Sequence, residues 1–124
     1  MDARTDGRDP ASGAFQSLSV RSVEIREAAR DDLIGQYGWL ASRAGIDTAE
    51  SMLASASSAF ERLARTPGLG APVRSDRAEL SGLRKWRVPG FPRLLILYET
   101  DQDRLYVVRV FRAAQDWLVA LDRD

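Results

Sequence analysis

Residues Leu83 to Trp117 read LRKWRVPGFPRLLILYETDQDRLYVVRVFRAAQDW, and the order of turns, apolar runs and arginines in this stretch decides the fold. Two long apolar segments, Arg93 to Thr100 and Arg104 to Phe111, flank the tight polar link Asp101-Gln102-Asp103. A shorter basic segment, Leu83 to Val88, precedes them across Pro89-Gly90. Runs rich in β-branched and aromatic residues, bounded by Gly, Pro and Asp, are strands, and links this short return the chain beside itself. The stretch is therefore an antiparallel three-stranded meander.

Side chains alternate across a strand. In the first strand Trp86 and Val88 are expected to meet the core and Lys85 and Arg87 to point to the outer face. Arg84, at the strand's start, can reach solvent along its stem. The run Leu94 to Tyr98 is apolar on both faces, as a central strand should be, and Tyr98 is expected to place its hydroxyl at the rim. In the last strand strict alternation puts Tyr106, Val108 and Val110 on one face and Leu105, Val107, Arg109 and Phe111 on the other. Arg109 is an odd residue in so apolar a strand. An unpaired ion there would cost several kcal/mol, so it either pairs with a carboxylate, for which Glu99, Asp101 and Asp116 are the candidates, or contacts a phosphate or a target.

Upstream of the meander the period changes. Leu18 to Ile25 alternates with one irregular step and suits a short edge strand. Ala29, Leu33, Tyr37, Leu40, Ala41 and Ala44 then follow at helical spacing, with Arg30, Asp31, Gln36 and Arg43 facing away. Gly45 ends that helix. Asp47 and Glu50 have the spacing of a capping box and are expected to open a second helix, with the stripe Ala49, Met52, Leu53, Ala56, Phe60 and Leu63 running to Arg65. So short a link makes the two helices an antiparallel hairpin. Thr66 to Ser81, rich in Pro and Gly, reads as a long surface loop. Residues 1–17 are too polar to bury surface that offsets ordering, so they are expected to be a disordered extension before a domain of residues 18–124.

Composition narrows the chemistry. A chain of 124 residues suits one small domain. The formal charge is zero, with 18 basic and 18 acidic side chains, and Lys85 is the only lysine. There is no cysteine and no histidine, which removes disulfides, thiolate sites and the commonest metal ligand and general base near neutral pH. The acidic groups Asp101, Asp103, Asp122 and Asp124 lie in a turn and at the terminus, where Asp serves turn chemistry and solubility. No cofactor or metal is therefore expected. No apolar run is long enough to cross a membrane and the N-terminus has no signal-peptide core, so the protein is expected in the cytoplasm.

Preceded by two helices and followed by a short one, the meander resembles the ParE/RelE superfamily of bacterial toxins, and most closely its ParE branch. The resemblance rests on the basic-aromatic strand around Lys85 and Trp86, the Gly90-Phe91 turn, the apolar strand ending in Tyr98, and the strand running into Arg109-Val110. It spans Val20 to near Leu121. The fold it implies is α+β: an N-terminal strand, an antiparallel helical hairpin, the three-stranded antiparallel meander and a short C-terminal helix from Ala113 to Leu121.

The resemblance also implies function. In the nucleolytic branch, basic side chains and a proton carrier cut ribosome-bound mRNA. Here the cations for that role are Lys85, Arg87, Arg93 and Arg112, with Tyr98 as the remaining hydroxyl, while many relatives have His where this chain has Arg112. ParE-type members are instead associated with inhibition of DNA gyrase. Binding to DNA gyrase without catalysis is the expected mode, with a ribosome-dependent endoribonuclease, or an inactive relative that only binds, as the alternatives. A cognate antitoxin is the second implied partner, in a hetero-oligomer with the toxin. Arg84, Phe91, Arg109, Arg112 and Trp117 are the candidate contacts to target or antitoxin, and Leu95, Leu97, Phe91, Phe111 and Trp117 are the apolar residues that either mark an antitoxin groove or simply pack the core.

Overall fold

A computed structural model describes residues 21–113. The N-terminal extension, the terminal helix expected from Ala113 to Leu121 and the candidate contact Trp117 lie outside the described residues. Along the chain come β1 (Ser22–Ile25), α1 (Glu27–Ala44), α2 (Ile46–Arg65), β2 (Ala71–Pro72), β3 (Arg84–Val88), β4 (Phe91–Thr100) and β5 (Arg104–Arg112), with single 3-10 turns at Pro67–Leu69 and Ala78–Leu80.

The meander β3-β4-β5 forms as the sequence implies, and two further strands extend it on either side, giving the order β1-β5-β4-β3-β2. β1 runs parallel to β5, with Ser22 beside Arg104 and Ile25 beside Val107. β2 is a two-residue addition from the segment expected to be wholly loop, and it pairs Ala71 with Lys85 and Pro72 with Arg84.

Gly45 alone joins the helices. Its φ of 97° is open to glycine at little cost. It closes α1 by donating its N–H to the Ala41 carbonyl at 3.2 Å and opens α2 by accepting from Ala49 N–H at 3.2 Å. The expected capping box does not form. α2 starts at Ile46, one residue ahead of Asp47, and has no side-chain cap; the Glu50 carboxylate instead accepts from the Tyr37 hydroxyl at 2.7 Å and ties the two helices together. Asp47 remains in the first turn, where its charge suits the helix dipole.

α2 buries Ala49, Met52, Ala56, Ala59, Phe60, Leu63 and Ala64, a stripe whose four alanines bring its backbone close to the sheet. From the sheet, Val88, Leu94, Ile96, Tyr98, Leu105, Val107 and Val110 meet it. Full burial of each large side chain contributes about 1.5–3 kcal/mol. α1 is less covered. Ala29 is its one fully buried residue, Leu33, Tyr37 and Leu40 are half-buried against the core, and Ile34 and Trp39 are 66% and 38% exposed.

Strict alternation in β5 fails at a bulge. Leu97 pairs with Arg109 but Tyr98 pairs with Val107, so Val108 is an extra residue. The bulge resets the pleat. Val110 therefore joins Leu105 and Val107 in the core, and Arg109 and Phe111 leave the face that alternation from Leu105 assigns them.

Candidate functional site

The register sorts the candidate residues by face. Lys85 stands opposite Leu97, and Arg87 opposite Leu95; across the next ladder Leu97 faces Arg109 and Leu95 faces Phe111. Lys85, Arg87, Arg109 and Phe111 thus surround Leu95 and Leu97 on the side of the sheet away from the helical core. Leu95 and Leu97 are nonetheless 3% and 0% exposed. The Arg87 guanidinium donates to the Pro92 carbonyl at 2.6 Å across the β3–β4 turn.

Tyr98 lies on the other face and within the strand, fully buried, not at the rim. Its hydroxyl accepts from Gly70 N–H at 2.9 Å and donates to the Pro67 carbonyl at 2.5 Å. Burial raises the phenol's pKa against the opposing pull of Gly70 N–H and the Arg84 charge. Arg84 also turns inward: its guanidinium donates to the Gly70 carbonyl at 2.6 Å. Gly70 has no room for a side chain, because a Cβ there would collide with the Tyr98 hydroxyl and stand 2.7 Å from the Lys85 carbonyl. Tyr98 and Arg84 together fasten the start of the loop segment to the sheet.

Arg109 has a carboxylate partner in Asp32, not in Glu99 or Asp101, while Asp116 lies outside the described residues. β1 stops at Ile25, opposite Val107, and α1 takes its place along the rest of the β5 edge. From α1, Asp32 accepts from Arg109 Nε at 2.8 Å, from Arg109 Nη2 at 3.1 Å and from Val110 N–H at 2.9 Å. One carboxylate thereby satisfies the edge strand's exposed amide and neutralises the guanidinium. The Asp32 hydrogen bond holds the Arg109 pKa above its ordinary value. Glu99 and Asp101 are used elsewhere. Glu99 pairs with Arg26 at 3.3 Å, and Asp101 takes the amides of Asp103 and Arg104 and the Tyr106 hydroxyl at the β4–β5 turn.

Arg93 and Arg112 belong to a third place. Together with Gln36, Trp39, Leu40, Gly90, Phe91, Pro92 and Leu94 they line a groove of about 390 Å³ between the C-terminal half of α1 and the β3–β4 turn. The Arg112 guanidinium lies 4.0 Å from the centre of the Trp39 ring, and that of Arg43, one helical turn on, lies 4.8 Å from it. The four cations expected to act as one cluster are therefore divided. Lys85 and Arg87 line a hollow with Leu69, Ala71, Trp86 and Leu95, Arg93 and Arg112 flank the groove, and the Tyr98 hydroxyl is enclosed beneath the loop.

Two side chains that shape these places escaped the sequence reading. Asp32 was hidden beside Asp31 on the polar side of α1. Trp39 fell off the apolar stripe, although a tryptophan four residues before Arg43 has the spacing of a helical cation–π pair.

Comparison with known proteins agrees with this architecture. Residues 23–117 match the family model for the ParE toxin of the type II toxin–antitoxin system parDE. Among solved structures, the chromosomal ParDE toxin–antitoxin system from P. aeruginosa is similar with a TM-score of 0.63 at 16% identity, over 77% of this chain and 99% of that one. The RelBE2 toxin–antitoxin complex from Mycobacterium tuberculosis is similar with a TM-score of 0.54 at 23% identity, over 79% of this chain and 97% of that one. No curated protein sequence matches significantly. No described helix is long and apolar enough to cross a membrane. With the family match covering most of the chain and the α+β fold shared with chains of both solved structures, the protein belongs to the ParE toxin family of type II toxin–antitoxin systems.

Proposed function

We propose that this toxin arrests growth in the bacterial cytoplasm by binding DNA gyrase, without a catalytic step of its own, and that a cognate antitoxin neutralises it in a hetero-oligomeric complex. One observation carries the choice of binding over catalysis. In a chain without histidine, the hydroxyl of Tyr98 is enclosed and already donates to the Pro67 carbonyl, on the opposite face of the sheet from Lys85 and Arg87. Phosphodiester cleavage needs a proton carrier beside the cations that stabilise developing charge. Membership of the ParE family supports gyrase as the target.

Tightly controlled expression in a bacterium tests the reading, with mRNA integrity and the DNA-damage response followed in the same culture during the first minutes of arrest. DNA breaks with intact mRNA are expected. Codon-positioned mRNA cuts without early DNA damage would replace gyrase by the ribosome and make the protein an endoribonuclease, a reading for which the neighbouring Lys85 and Arg87 on the outer face speak.

A further inference from the structure

Two residues apart on a helix means nearly opposite directions. On α1, Asp32 reaches β5, so Ile34 turns away from the sheet, and it is 66% exposed. Beside it, on the outer side of the helical hairpin, α1 and α2 leave a groove of about 340 Å³. Leu33, Tyr37 and Leu53, all half-buried, form its floor, and Arg30, Ile34 and Glu50, all exposed, form its rim.

The two rim charges do not meet each other. Among the described residues Arg30 has no carboxylate in ion-pair range, although Arg26, one turn earlier, pairs with Glu99. Glu50 accepts the Tyr37 hydroxyl on Oε2 at 2.7 Å, which leaves its other oxygen open.

We infer that this groove is the contact between two copies of the chain related by a two-fold axis, Ile34 of each copy seated on the apolar floor of the other and Arg30 of each facing Glu50 of the other. The inference concerns self-association and goes beyond the choice of target above.

Self-complementarity selects a second copy as the occupant. In a two-fold contact one patch serves both sides, so it must carry both halves of every interaction. Here a projecting isoleucine stands beside an apolar hollow of the same patch, and an arginine beside a carboxylate. A single exposed isoleucine is ordinary on a surface; one placed next to a hollow and flanked by both signs of charge is matched in every term by another copy. One base and one acid leave the rim without net charge, which does not suit a phosphate backbone. The patch is small, so the association is reversible and weaker than that of an obligate dimer.

Sedimentation velocity of the purified full chain over a wide range of concentration tests the contact. A reversible passage from monomer to dimer is expected. Ile34→Asp, Arg30→Glu and Glu50→Arg should each weaken it by about tenfold or more, because each sets a charge on the apolar floor or like charges face to face. Mixing the Arg30→Glu and Glu50→Arg chains should restore pairing as a heterodimer, since each then meets the opposite charge at both contacts. That rescue separates a contact between copies from a loss of folding, which circular dichroism checks for each variant. A chain that stays monomeric throughout, a dimer that Ile34→Asp leaves intact, or a mixture that associates no better than either variant alone would overturn the inference.

Discussion

The carboxylate of Asp32 grips the guanidinium of Arg109 through two hydrogen bonds, from Nε at 2.8 Å and from Nη2 at 3.1 Å, across 77 residues of chain. Its Oδ2 also takes the Val110 amide, so the contact closes the edge of β5 that β1 leaves uncovered. The Asp32 and Arg109 side chains are 15% and 20% exposed, sheltered enough for the pairing to matter and wet enough that the gain stays below that of a fully buried pair.

Asp32→Ala removes every one of these acceptors at once and is expected to destabilise the fold by about 2–3 kcal/mol, the scale for stranding a charged donor and a backbone amide. Arg109→Ala should cost less, because Asp32 keeps the Val110 amide. A double-mutant cycle in urea checks both. A coupling energy indistinguishable from zero would remove Arg109 from the structural framework and return it to the target surface.

Tyr98→Phe leaves the Gly70 amide and the Pro67 carbonyl without their partner, and a loss of about 1–3 kcal/mol is expected. The same phenol makes an alkaline prediction. Its folded pKa is raised by burial, so its stabilisation is full below the unfolded value, about 10, and is lost as pH rises through the folded value. Tyrosinate absorbance should show one phenol that ionises only together with unfolding, and that signal should vanish in Tyr98→Phe.

Asp101 predicts the acid limb. The amide of Asp103, the Tyr106 hydroxyl and the amide of Arg104 hold its carboxyl below the usual range. Its contribution is therefore present above the unfolded value of about 3.9 and fades as pH falls through the lower folded value. The urea midpoints of the native protein and Asp101→Asn should differ by a constant amount from pH 5 upward and converge in acid. A gap that stays the same down to pH 2 would show that the charge of Asp101 has no part in the turn.

Lys85→Ala combined with Arg87→Ala tests the outer face. The double variant is expected to fold with a melting temperature close to that of the native protein and to keep its toxicity when expressed. Loss of toxicity with the fold intact would favour cleavage of mRNA at that face.

The meander was legible because three local signals agree there: polar links, apolar alternation and β-branched content. The hairpin was legible from two stripes and one glycine. What escaped depends on partners distant in sequence. Nothing near Ala71 and Pro72 marks them as a strand, since their pairing is supplied by Arg84 and Lys85. The parallel seat of β1 is fixed by β5, and the β5 bulge by the register with β4. Asp32 has no local feature that separates it from Asp31; only the position of α1 along the β5 edge selects it. At the candidate site, Arg84, Phe91, Arg93 and Arg112 were readable as residue types of interest, whereas their division between the loop anchor and the groove required the fold.

The pairing of β1 with β5 has a consequence for how this protein comes into being. Ser22 and Asp103, whose backbones meet at 3.0 Å, are 81 positions apart, so a ribosome making this chain releases the first strand long before its neighbour exists. The helical hairpin, built from local contacts, can assemble while synthesis continues, but the sheet waits for its last strand and for the closure of a long loop. A nascent copy is thus unable to present its finished surface until translation has passed β5, which gives the cell an interval in which the chain is made and not yet armed.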